Sequence, residues 1–121
     1  MISTPKVIAT IIQSLPNKSD LDIYARDIPN MLPPKITSRE TDESYTPDML
    51  VKSKKIVHLF SIDTGEAGSL GDSFFQKIRL FSMYASEHNG KLYIAGGRKF
   101  IARVKPKLRG KYENVDFLTI Q

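Results

Sequence analysis

Val7, Ile8, Ile11, Ile12 and Leu15 fall three and four residues apart, which gives the first segment one apolar side. That period predicts a helix. Thr4 precedes it as a cap, Pro5 suits its first position, and Pro16-Asn17 stops it. A second short helix is predicted near residues 20–27, capped by Ser19 and carrying Leu21, Ile23, Tyr24 and Ile28. Pro29, Pro33, Pro34 and Pro47 interrupt any regular element over residues 29–47. Within that stretch Lys35-Ile36-Thr37 reads as a short edge strand.

The pattern then shortens its period. Residues 45–50 and 56–65 read as two short strands joined by polar residues 51–55, with strand limits near 48–52 and 55–63. Residues 64–72 form a glycine-rich loop ending in Asp72-Ser73, an acid and a hydroxyl suited to starting a helix. The next helix is predicted from about 73 to 88, where Phe74, Phe75, Ile78, Leu80, Phe81, Met83 and Tyr84 give a broad apolar face. Asn89-Gly90 ends it. Residues 91–95 read as a strand, broken by Gly96-Gly97. Phe100, Ile101, Val104 and Leu108 have helical spacing, although Pro106 opposes an uninterrupted helix. The reading over 98–110 is a helix ended by Gly110, and residues 115–120 form a last strand. The order is helix, hairpin, helix, strand, helix, strand. It predicts an α/β fold, a small mixed β-sheet flanked by helices, with parallel neighbours joined by right-handed crossovers.

A chain of 121 residues suits a single domain, with 1–44 as an N-terminal part and 45–121 as its core. No apolar run approaches the roughly 18 residues of a membrane span, and no signal peptide is legible. There is no cysteine, so disulfides and thiolate metal sites are excluded, and His58 and His88 are too few for a multi-histidine site. A cytosolic protein is expected. The net charge of +5 is uneven. Residues 91–111 carry Lys91, Arg98, Lys99, Arg103, Lys105, Lys107, Arg109 and Lys111 with no acid, whereas acids gather at 40–48 and 63–72. A basic tract beside acids fits a polyanion held near a metal. Excess lysine that merely solvates a small domain fits the same composition.

Side chains alternate along a strand, so Val57, Leu59, Ser61 and Asp63 share one face and Ile56, His58, Phe60 and Ile62 the other. Asp48, opening the paired strand, and Asp63 are candidates to share a hard cation such as Mg²⁺. A cation held there activates water and stabilises charge on a phosphate. His58 falls on the opposite face and reads as structural or exposed. Pro47-Asp48 followed by Ile62-Asp63-Thr64-Gly65, within this element order, resembles the restriction-endonuclease-like PD-(D/E)XK nucleases over residues 45–120. The resemblance implies a restriction-endonuclease-like core. In that family an acid follows a proline on one strand, and the next strand ends in an acid, any residue, then a lysine. The following helix often adds a glutamine or lysine, where Gln76 and Lys77 stand here.

The second motif departs from the family. Ser61 stands in the place of its acid and Asp63 in the place of its lysine. The Asp-Thr-Gly ending also resembles that slot in replication-relaxation-type proteins, which keep a glutamate at the position of Ser61. What the resemblance implies is a nucleic-acid-binding protein, with DNA favoured, in one of two forms. In the hydrolytic form Asp48 and Asp63 hold Mg²⁺ (Mn²⁺ as substitute), Lys77 polarises the phosphate or the attacking water, and Gln76 orients. In the other form the same surface binds without cutting. Lys99, Arg103 and Lys107 recur every four residues, so on a helix they form one stripe suited to a phosphate backbone. Small members of the family often pair, which implies a homodimer. No membrane partner is expected. The alternative is a non-enzymatic protein-interaction module or a small subunit of a larger assembly.

Overall fold

The computed structural model describes residues 4–15, 18–63 and 71–120. The expected stop at Pro16-Asn17, the capping side chain of Thr4 and residues 64–70 of the glycine-rich loop lie outside them. Helix α1 (Thr4–Ser14) buries Val7 and Ile8, as its period requires. A 3₁₀ turn (Lys18–Asp20) leads into strand β1 (Asp22–Ala25). The helix expected over 20–27 is therefore a strand. Ile23 lies opposite Val51 and Tyr24 opposite Leu50, on alternate faces, so four residues complete the sheet edge with both side chains used. That ladder outweighs the weak helical spacing of Leu21, Ile23, Tyr24 and Ile28.

Two further two-residue strands, β2 (Ile36–Thr37) and β3 (Ser44–Tyr45), pair as a separate antiparallel ribbon. The expected edge strand at Lys35-Ile36-Thr37 is thus present, but Tyr45 belongs to this ribbon and not to the strand that follows. Strand β4 (Met49–Ser53) and strand β5 (Ile56–Asp63) form the expected hairpin. Their ladder runs to Ser53 opposite Ile56, so the connection is only Lys54-Lys55 and not the whole of 51–55. Val51 is buried because it belongs to the strand.

Helix α2 (Asp72–Glu87), strand β6 (Leu92–Gly97), helix α3 (Arg98–Leu108) and strand β7 (Val115–Ile120) follow within a residue or two of their predicted limits. The fold is α/β. Its five-stranded mixed sheet runs β1-β4-β5-β6-β7, antiparallel through β1, β4 and β5 and parallel through β5, β6 and β7. Ile8 of α1 packs with Ala25, Met49, Val51 and Phe60 on one face. Ile78 and Phe81 of α2 and Phe100, Ile101 and Val104 of α3 pack with Leu50, Leu59, Leu92 and Ile94 on the other. The aromatic stripe of α2 is core, as its period requires, except that Met83 turns outward.

Two local features fix the frame. Helix α2 ends in a Schellman turn: the Gly90 amide donates to Ala85 (2.8 Å), the Asn89 amide donates to Ser86 (3.2 Å), and Asn89 is left-handed at φ 59°. A Cβ on Gly90 would stand 1.7 Å from the carbonyl oxygen of Val57, so only glycine lets β5 pass this turn. Helix α3 runs through Pro106, which lies in its last turn and faces outward. The buried Phe100, Ile101, Val104 and Leu108 offset the lost backbone bond. Among the described residues no helix is long and apolar enough to cross a membrane.

Candidate functional site

The parallel strands β5 and β6 end beside one another, with Asp63 opposite Gly96. The last described residue of β5, Asp63, and the start of α3 both lie at this end of the sheet, where open α/β folds place their ligands. Asp48 lies at the same end, just before β4. The register Met49–Phe60, carried one step further, sets Asp48 across from Ser61. Ser61 and Asp63 share the α2 face of β5 by alternation. Ideal strand geometry puts the Cα atoms of Asp48 and Asp63 about 8 Å apart. The sequence therefore placed both acids at one end of the sheet. Ser61 between them is buried.

Asp48 is already occupied. Its Oδ1 accepts from Nη1 of Arg26 at 2.8 Å, and its Oδ2 accepts from the backbone amide of Ile62 at 2.7 Å. Its backbone is tied as well, donating to Phe60 (3.0 Å) and accepting from the Arg26 amide (3.2 Å). Pro47 before it is fully buried. Asp48 thus joins the end of β1 to the end of β5. Arg26 is the residue that sequence reasoning missed. A helix over 20–27 put it out of reach, whereas the β1–β4 ladder brings it beside Asp48.

The donor set fits Mg²⁺ poorly. Of the three positions that face the site, one is a neutral hydroxyl and one already carries a guanidinium. Among the described residues no three acidic or histidine side chains gather closely enough to hold an ion. A cation at Asp48 would share its oxygens with the Arg26 guanidinium and the Ile62 amide.

Gln76 and Lys77 turn to different neighbours. Oε1 of Gln76 lies 3.5 Å from the Tyr45 hydroxyl, beneath the β2–β3 ribbon. Nζ of Lys77 stands 5.4 Å from the Phe74 ring, and Phe74 packs edge-on against Phe100. The Tyr45 hydroxyl is also 3.2 Å from Glu43. Partial burial, with Glu43 beside it, holds Tyr45 above its ordinary range. His58 is structural, as its strand face implies: Nδ1 accepts from the Lys91 amide at 3.0 Å and the ring meets Tyr93 edge-on. Burial, and then the Lys91 ammonium, push its imidazole below the usual 6.5.

Helix α3 gathers the basic tract. It buries Phe100, Ile101, Val104 and Leu108 and exposes Arg98, Lys99, Arg103, Lys105 and Lys107. The helix contains no acid, and among the described residues none of these five cations forms an ion pair. Lys99, Arg103 and Lys107 recur about every 6 Å along the axis. Arg98 and Lys99 open the helix next to Gly96 and Gly97, at the same end as Asp63. Gly96 is needed there, because a Cβ would stand 2.5 Å from the Phe100 ring. Comparison with known proteins finds no match: no family model fits the sequence, and no curated protein and no solved structure is significantly similar to it.

Proposed function

We propose that this protein binds nucleic acid, with duplex DNA favoured, through the outer face of α3, and that it does so without cutting. The observation that carries the reading is a helix with five exposed cations and no acid. A merely solvated helix face gains from mixed charges at i and i+4, and α3 has like charges at those spacings. Like-charge rows cost stability unless a polyanion answers them.

The same reading takes the sheet as a restriction-endonuclease-like core. What supports it is an antiparallel strand opened by Pro47-Asp48, a neighbouring strand with Ser61 opposite Asp48, then a helix and a parallel strand. Arg26 on Asp48 favours the non-hydrolytic form over the Mg²⁺-dependent one. Two measurements test this. Amide shifts of the labelled protein, recorded while duplex DNA is added, should move along residues 98–107. No shifts favour a protein-interaction module, and shifts confined to other residues overturn the α3 interface. Calorimetry with Mn²⁺ should give no heat of binding. Binding lost in Asp48→Ala, Asp63→Ala would restore the hydrolytic form.

A further inference from the structure

A second charged feature lies at the opposite end of the sheet, where β4 turns into β5. Lys52, Lys54 and Lys55 are all exposed there, and among the described residues none forms an ion pair. The nearest acid in the ladder, Asp22 opposite Lys52, is not bonded to it. The three lysines rim a groove of about 510 Å³. Its walls include Tyr24, Tyr84 and Leu32, its floor is the buried Leu50 and Val57, and no acid lines it.

The backbone at this turn adds an independent sign. The ladder closes at Ser53 opposite Ile56, so Lys54-Lys55 is a two-residue connection. Lys54 is left-handed, at φ 54°. Glycine or asparagine takes that conformation at less cost, and tight hairpins favour them. The chain instead carries a lysine there. A strained backbone that keeps a charged side chain points to use of that side chain.

We infer that this groove binds a segment of single-stranded nucleic acid, one unpaired base against Tyr24 and Tyr84 and the flanking phosphates on Lys52, Lys54 and Lys55. The inference rests on the nucleic-acid reading above for the class of polymer, but on different residues. Half-buried rings in a concave groove reach only a base that is free to leave its stack, which excludes a paired duplex. Cations at the rim answer the backbone, and the acid-free lining leaves no charge to repel it. A lipid surface would need protruding apolar side chains in the groove, where Leu32 is the one exposed large apolar residue of the lining; the exposed Ile56 lies on the other face of the sheet, and both tyrosines are recessed.

The test is fluorescence anisotropy of a labelled oligothymidylate and of a duplex, each titrated with the full chain. The variants are Lys54→Glu/Lys55→Glu, Lys54→Gly, and Arg103→Glu/Lys107→Glu. Lys54→Glu/Lys55→Glu should weaken single-strand binding about tenfold or more and lower its salt slope by about 1.4. Duplex binding should change less than about threefold. Lys54→Gly relaxes the turn, so it should bind single strand more weakly while melting no lower than the native chain. Single-strand affinity unchanged in Lys54→Glu/Lys55→Glu would overturn the inference. So would equal losses on both polymers, or binding to anionic vesicles but not to the oligonucleotide. Duplex binding unaffected by Arg103→Glu/Lys107→Glu would remove the α3 reading and leave this groove standing.

Discussion

Asp48→Ala tests whether this acid is a strut or a ligand. The side chain performs two structural tasks, and their costs differ. It accepts the Ile62 amide at 2.7 Å in a part-buried position, with only 15% of the carboxylate side chain exposed. Deleting it leaves that donor unpaired, at about 1–3 kcal/mol. It also holds Arg26, which is 59% exposed, so that pair contributes only about 0.2–1 kcal/mol. The two together give about 1–4 kcal/mol. Arg26→Ala removes only the second and should cost less than about 1 kcal/mol. Asp48→Asn keeps an acceptor for Ile62 and should fall between them. For a chain of this length 1 kcal/mol is about 4 °C in Tm, so Asp48→Ala should melt about 5–16 °C lower and Arg26→Ala no more than about 4 °C lower. Far-UV circular dichroism follows both transitions without needing tryptophan, which the chain lacks. An Asp48→Ala protein as stable as the native one, or more stable, would refute the reasoning. That is how a carboxylate behaves when it is kept for function at a cost in stability.

Gly90→Ala forces a Cβ into the Val57 carbonyl and should cost about 3 kcal/mol or more, read by urea unfolding. Pro106→Ala restores a backbone donor in the last turn of α3 and should raise stability by about 1 kcal/mol in the same assay. The folded protein holds His58 below 6.5, so between that lowered value and 6.5 the unfolded chain binds more protons. Stability should therefore stay level above 6.5, fall as the pH drops from 6.5 towards the folded value, and lose no more to this group below it. His58→Gln should flatten that part of the thermal-unfolding profile.

The elements with strong periods were legible in the sequence. Helix α1 follows from five apolar residues at helical spacing, and α2 from its aromatic face and its Asn89-Gly90 stop. The ambiguity at α3 was real, because Pro106 and the apolar period argue in opposite directions, and the burial of Leu108 just past the proline decides it. Strand β1 was not legible. Four residues show too little alternation to be told from a helical turn, and what makes them a strand is the distant edge of β4. The site inherited that gap. The sequence put Asp48 and Asp63 at one end of the sheet, but it offered no sign of Arg26, which arrives only with β1. Lys77 on the Phe74 ring was equally hidden, since helical spacing does not say which way a long side chain folds.

The central claim is that the charge on α3 meets a nucleic-acid backbone. Its most direct test is duplex binding by the native chain and by Arg103→Glu/Lys107→Glu over a range of salt. Both residues are exposed, so the variant should fold as the native chain does. If each cation neutralises one phosphate, the slope of log K against log salt should shrink by about 1.8 in the variant, and affinity at low salt should drop about tenfold or more. Equal slopes and equal affinities, or a native chain that does not bind duplex at low salt, would contradict the account.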